Sequence, residues 1–387
     1  MQKTDYIARL NEGSTLNIIF QLTDKCVLSC KYCFAKGAHK GKTNTFSYKL
    51  LETAIKQAFE TRHKRVCFEW TGGEPLLVGI DFYKKVVELQ NKYASKPYEN
   101  GVQTSGNLLD KELINFLIQH NFSISTTIDG TAEIHNQNRP TNSGNPSLQN
   151  ALDTRQYILD QGGSCGFIST ITKYNLGHEK EMLDFFQSLG TYSFHSNPYI
   201  YYDGNRVKDN SIALSPEDFA RYFIAEFNAW IEKGRVRPIP RTIYDIIKAL
   251  KHRKQLNRSI CTYGGRCLTN FIALTPNGDA YNCPKFTGSD NMRLGNIKEN
   301  SISEILSLSS DLINKLIDQR VEAIKRCKSN KCNYFYICNG GCPYHSFIAS
   351  NGKNISEKDI LCDGKILLFE YIESVISQLT NLEDMED

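Results

Sequence analysis

Three thiols stand within eight residues, CVLSCKYC (26–33), spaced C-x3-C-x2-C. Thiolates are soft donors suited to zinc or to iron-sulfur clusters, and structural zinc sites close with four protein ligands. No fourth Cys stands nearby to complete a tetrahedron. Three thiolates from one loop can hold three irons of a [4Fe-4S] cube and leave the fourth open to a small molecule.

Eight more of the 13 cysteines fall after residue 260: Cys261, Cys267, Cys283, Cys327, Cys332, Cys338, Cys342 and Cys362. Eight is the count for two fully ligated cubanes or for two zinc sites of four thiolates each. Disulfides are the poorer reading, because a chain of 387 residues does not need bridges to be stable and the cytosol keeps thiols reduced. Cys67 and Cys165 are isolated within β-rich runs and read as small packing residues. In RVCFEWT (65–71) the apolar Val66, Phe68 and Trp70 alternate with Cys67, Glu69 and Thr71. Glu69 is therefore expected on the face opposite the apolar one, where a carboxylate can bind substrate or accept a proton. His195 is a second candidate of this kind, and Tyr199, Tyr201 and Tyr202 are expected to line a peptide groove or to pack a domain junction.

The elements that must position these groups alternate short β-rich runs with amphipathic helices from residue 16 to about 200, the pattern of βα units around a parallel sheet. Six strands are expected at 16–23, 65–71, 100–105, 123–129, 165–172 and 192–197. Between the first two, Leu51, Ala54, Ile55, Ala58 and Phe59 form one helical face, with Ser47 as its cap. Six units predict an α/β fold, a partial (β/α)6 TIM-like barrel, open on one side, with chemistry at the ends of the strands. The cysteine triplet follows the first strand, TGGEP (71–75) ends the second, and His195 lies near the end of the sixth. The expected divisions are an extension over 1–14, the barrel over 15–214, a helical linker over 215–256 interrupted by PIP (238–240), and a cysteine-rich domain over 257–387.

A net charge of +4 without a basic tract gives little support to nucleic-acid binding. The N-terminus lacks an apolar signal region, and no apolar run approaches the ~20 residues of a membrane span. A cytoplasmic protein is expected, without membrane or nucleic-acid partners.

The triplet, with Tyr32 before its last cysteine, resembles the radical S-adenosylmethionine (SAM) superfamily. The resemblance implies that Cys26, Cys30 and Cys33 hold a [4Fe-4S] cluster whose open iron chelates SAM, and that reductive cleavage gives a 5'-deoxyadenosyl radical that abstracts hydrogen. It assigns SAM contacts to Tyr32, to Gly72, Gly73, Glu74 and Pro75 of TGGEP, to Thr104, Ser105 and Asn107 of TSGN, to Asp129, and to Arg139 opposite the SAM carboxylate. The C-terminal cysteines resemble the SPASM extension of peptide-modifying members. By position, Cys261, Cys267, Cys283 and Cys342 correspond to auxiliary cluster I, and Cys327, Cys332, Cys338 and Cys362 to auxiliary cluster II, making three [4Fe-4S] clusters in all. The four residues between Cys327 and Cys332 depart from the family's usual two.

The resemblance implies a peptide-modifying oxidoreductase served by a flavodoxin- or ferredoxin-like reductant. In the family's anaerobic sulfatase maturases an aspartate base follows the cysteine equivalent to Cys283; here Pro284 and Lys285 follow. The expectation is therefore a maturase of a ribosomally made precursor peptide that forms a C-C or thioether crosslink, with formylglycine formation as the alternative. A protein that only carries electrons or scaffolds a partner is the non-enzymatic alternative. With Cys26 so near the start there is no room for a leader-binding domain ahead of it, so the precursor is expected at the barrel mouth, on the SPASM segment or on a separate protein.

Overall fold

The computed structural model describes residues 2–35, 44–200, 210–253, 263 and 265–378. Cys261, Tyr201 and Tyr202 lie outside them. All six expected strands form: β1 (Thr15–Gln21), β2 (Arg65–Thr71), β3 (Tyr98–Gln103), β4 (Phe122–Thr127), β5 (Cys165–Ile171) and β6 (Ser193–Pro198). They pair in parallel in sequence order, and the short β7 (Ile239–Pro240) extends the row beyond β6.

Three further strands were not expected: β8 (Phe271–Leu274), β9 (Asp279–Tyr281) and β10 (Arg293–Asn296). β8 pairs in parallel with β1, and β9 and β10 continue antiparallel, so the C-terminal segment adds to the same sheet. The sheet stays open, with β7 and β10 as its edges among the described residues. The N-terminal stretch, expected to be an extension, forms the helix Lys3–Asn11. Its buried Tyr6 and Leu10 share a core with Ile313, Ile317 and Phe347.

The strands stand where they do because one face of each is apolar. Val66, Phe68 and Trp70 are fully buried against the helices Tyr48–Glu60 and Ile80–Tyr93, and withdrawing each aliphatic or Phe side chain from water contributes about 1.5–3 kcal/mol. Trp70 stacks on Phe20 at 4.5 Å and donates to Asn100 Oδ1 at 2.9 Å. The helix Tyr48–Glu60 starts where Ser47 Oγ accepts from the Leu50 N–H, and it buries the five residues expected. A second core joins β5 and β6 to the helices Pro216–Glu232, Arg241–His252 and Cys362–Ile376. No helix among the described residues is long and apolar enough to cross a membrane.

Candidate active site and auxiliary thiol sites

Cys26, Cys30 and Cys33 follow β1 on a loop that is strapped along its length by residues 138–142. Asn142 Nδ2 donates to the Cys26 carbonyl at 2.7 Å and its N–H to Val27. Ser29 donates to Pro140 and Lys31 to Asn138, and Leu28 bridges Thr141. All three thiols are partly exposed and none is in a disulfide. Burial pushes the Cys30 thiol up to about 12 and raises that of Cys26, so at neutral pH a cation must replace the proton before thiolates form.

TGGEP lies against the start of this loop. Gly73 donates to the Thr23 carbonyl at 2.7 Å and Glu74 to that of Lys25 at 2.8 Å. A Cβ on Gly72 or Gly73 would meet the Thr23 or Lys25 carbonyl at 2.8 and 2.2 Å, so the close backbone approach these glycines allow is to the cysteine loop itself. Glu74 also has a structural task within the protein. Its carboxylate is fully buried: one oxygen accepts from Thr104 Oγ1 (2.7 Å) and the Leu76 N–H (3.2 Å), the other from the Ser105 N–H (2.9 Å) and Oγ (2.5 Å). Four donors from within the protein thus converge on this one carboxylate. It ties the loops after β2 and β3 together while Pro75 opens the short turn Pro75–Val78. Asn107 closes the second loop by donating from Nδ2 to the Ser105 carbonyl and from its N–H to Ser105 Oγ.

The half-buried Tyr32 joins the buried Asp129 and Arg139 in one chain. Tyr32 donates to Asp129 Oδ2 at 2.6 Å and accepts from Arg139 Nη1 at 2.7 Å; the other Asp129 oxygen accepts from the Thr170 N–H at 2.9 Å. Burial lifts the Asp129 carboxyl to about 6, with Arg139, Tyr32 and Thr170 acting in the opposite direction. Both Asp129 oxygens are thus engaged inside the protein, whereas Arg139 Nε is buried without an acceptor, a donor that a bound carboxylate can satisfy. The Tyr199 ring lies 6.2 Å from that of Tyr32.

On β2 the alternation sends Cys67, Glu69 and Thr71 to the face opposite the core. Glu69 stands beside Gly101 of β3, where any Cβ would come within 2.5 Å of its carboxylate, and Cys67 Sγ donates to it at 3.4 Å. Burial raises the Glu69 pKa. Cys67 therefore belongs with this polar face, while Cys165 packs in the core as expected. Ser125 Oγ donates to Gln103 Oε1, and Gln103 Nε2 to Thr127 Oγ1. His195 is half-buried on β6, with burial lowering its pKa and Asp245 opposing the shift.

Cys327, Cys332, Cys338 and Cys362 line one small cavity of about 20 Å³ with Tyr334, Phe335, Gly340, Lys365, Ile366 and Phe369. Among the described residues no three His, Cys, Asp or Glu side chains converge closely enough to hold one ion; these four thiols line one cavity without closing on a single point. The two extra residues between Cys327 and Cys332 have not separated them. Cys283 and Cys342 flank the core that holds Tyr6 and Leu10, beside Phe286 and Tyr344, and Asn282 Nδ2 fastens the strand before Cys283 to the Cys267 and Leu268 carbonyls. Between Cys338 and Cys342, Asn339, Gly340 and Gly341 all have positive φ, and the buried Arg320 donates to the Gly340 and Gly341 carbonyls at 3.1 and 2.9 Å.

Residues 20–186 match the model of the radical SAM superfamily, and residues 261–333 that of SPASM, an iron-sulfur cluster-binding domain. The chain is a radical SAM enzyme with a SPASM domain. It is 26% identical over 368 residues to a serine-type anaerobic sulfatase-maturating enzyme of Bacteroides thetaiotaomicron, covering 90% of this chain and 86% of that protein. It is 25% identical to a cysteine-type sulfatase-maturating enzyme of Clostridium novyi, covering 94% and 96%. Among solved structures, anSMEcpe with bound AdoMet superposes with a TM-score of 0.82 at 23% identity, over 94% of each chain. Streptococcus suis SuiB bound to its precursor peptide SuiA superposes with 0.66 at 18%, over 93% of this chain and 79% of that one.

The donor sets of this radical SAM chain fit the groups its family carries. Thiols are the ligands of iron-sulfur clusters, four of them enclose one cavity, and the orphaned Arg139 Nε suits a carboxylate such as that of SAM. Sequence reading missed the 138–142 strap, although Pro140 signals an extended backbone there, and it missed the donors around Glu74.

Proposed function

We propose that this radical SAM enzyme oxidises a side chain within a peptide, with [4Fe-4S] clusters at Cys26/Cys30/Cys33, at Cys261/Cys267/Cys283/Cys342 and at Cys327/Cys332/Cys338/Cys362. Bound together, the first cluster and SAM supply the radical that removes a hydrogen atom from a C–H bond. The chain's own contribution is positional. Residues 138–142 and Gly72–Gly73 hold the thiol loop, Glu74 fixes the two loops beside it, and Arg139 orients the SAM carboxylate. The polar face of Glu69, Gln103, Ser125 and His195 receives the peptide, with Glu69 as the group whose raised pKa suits proton acceptance.

The observation that carries the finer reading is the turn after Cys283. Pro284 opens the short helix Pro284–Phe286, and Lys285 Nζ lies 5.4 Å over the Tyr344 ring, so no carboxylate stands where the sulfatase maturases are expected to hold their base. This favours a C-C or thioether crosslink within a precursor peptide. Formylglycine formation is the second reading, favoured by the similarity to sulfatase-maturating enzymes over most of the chain. Two anaerobic incubations of the reconstituted enzyme with SAM and dithionite separate them: one with the short peptide encoded nearest to it, one with a sulfatase-type peptide bearing Cys or Ser. Loss of a hydrogen pair with no new carbonyl in the first supports crosslinking. An aldehyde trapped by a hydrazine reagent in the second, with the first unchanged, overturns that reading in favour of formylglycine.

A further inference from the structure

Lys365 and Asp359 are both buried, with side chains 1% and 2% exposed, and Lys365 Nζ donates to Asp359 Oδ2 at 2.7 Å. Lys365 lies one helical turn after Cys362 and, thiols and Tyr334 apart, is the only lining residue among the described ones that can carry charge in the four-cysteine cavity. Its ammonium also lies 5.0 Å over the Tyr263 ring. The same Asp359 oxygen accepts from the backbone N–H of Cys342 at 2.9 Å, and both carboxylate oxygens lie 3.2 Å from His345 Nδ1. The Leu361 N–H donates to Asp359 Oδ1. Gly341 is shaped around this carboxylate, because a Cβ there would come within 2.4 Å of Asp359 Oδ2. One carboxylate thus joins a cation facing one thiol set to the backbone of a cysteine from the other.

A buried ion pair costs desolvation and is weak evidence for stability alone. Its placement points to electrostatics. Adding one electron to a group held by four thiolates adds one negative charge, and a fixed ammonium at the wall of its cavity favours that reduced state in a low-dielectric surround. We infer that Lys365, held by Asp359, is a positioning charge that raises the reduction potential of the centre at Cys327, Cys332, Cys338 and Cys362, so that this centre can take the electron released when the substrate radical is oxidised. The inference rests on those four cysteines holding a cluster.

The test is an anaerobic, EPR-monitored redox titration of the full chain in which Cys26, Cys30 and Cys33 are all Ala, leaving the auxiliary signals, with iron counted in each sample. Lys365→Met is expected to keep its iron and to lower the potential of one auxiliary signal by at least a tenfold change in its reduction equilibrium, about 59 mV for one electron. Lys365→Arg is expected to restore most of the shift, and Asp359→Asn, which leaves the ammonium uncompensated, to move the same signal upward. If Lys365→Met loses iron, the Asp359→Asn shift decides: upward supports the inference, unchanged or downward overturns it. Equal potentials in wild type and an iron-replete Lys365→Met overturn it directly. A parent with no auxiliary signal and no auxiliary iron overturns the ligation reading and the inference with it.

Discussion

Ser105 gives both its N–H and its hydroxyl to one oxygen of Glu74, at 2.9 and 2.5 Å, while Thr104 takes the other. The carboxylate thereby welds the loops that end β2 and β3 beside the thiol loop. Glu74→Gln replaces an acceptor by a donor facing donors, and it is expected to cost about 1–3 kcal/mol of stability. SAM binding should weaken roughly tenfold, one step of 1.4 kcal/mol. Equilibrium SAM binding checks it; unchanged affinity would mean that the two loops hold without this carboxylate.

Tyr32 mediates between the Asp129 carboxylate and Arg139, which it meets at 2.6 and 2.7 Å. Tyr32→Phe leaves two buried charged groups each short of a partner. Thermal unfolding of the reconstituted enzyme should show a loss of about 1–3 kcal/mol. An unaltered melting temperature would show the chain to be dispensable for the fold.

Gly101 leaves room for Glu69. Gly101→Ala puts a methyl within 2.5 Å of the carboxylate and must move it. Peptide modification is expected to fall at least tenfold while SAM cleavage without peptide is unchanged, because the SAM-side loops are untouched. A parallel loss of both activities would argue that the effect is on folding.

Glu226 is buried in the second core, bonded to Ser196 Oγ at 2.6 Å and Tyr222 at 3.2 Å, and burial lifts its carboxyl from 4.5 to about 7. Between these values the folded chain keeps a proton that the unfolded chain has released. Its contribution to stability therefore falls as pH rises through that window and is level above it. Glu226→Gln fixes the neutral form, so its melting temperature relative to wild type should climb between pH 5 and pH 8. A pH-independent difference would contradict the shift.

Much of this was legible in the sequence, because period-two and period-3.6 patterns report burial directly: β2 and the helix Tyr48–Glu60 bury the faces their alternation specified. The grouping of Cys327, Cys332, Cys338 and Cys362 around one cavity was legible from thiol chemistry and the family resemblance together. Most of what escaped depends on pairings remote in the chain. β8 is four residues long and becomes a strand only by adding to β1, some 250 residues earlier by its Asn17–Phe271 register. The strap of Asn138–Asn142 on the cysteine loop and the Asp359–Lys365 pair carry no local periodicity, only polar residues whose partners the fold supplies. The donors that Thr104 and Ser105 bring to Glu74 escaped for the same reason, since they come from another loop.

The most direct test of the account is EPR of the dithionite-reduced, anaerobically reconstituted chain with and without SAM, read beside 5'-deoxyadenosine formation. The account predicts that SAM shifts one iron-sulfur signal, that this signal and the deoxyadenosine both vanish when Cys26, Cys30 and Cys33 are replaced by Ala, and that the auxiliary signals persist. Signals indifferent to SAM, with no deoxyadenosine formed, would contradict it.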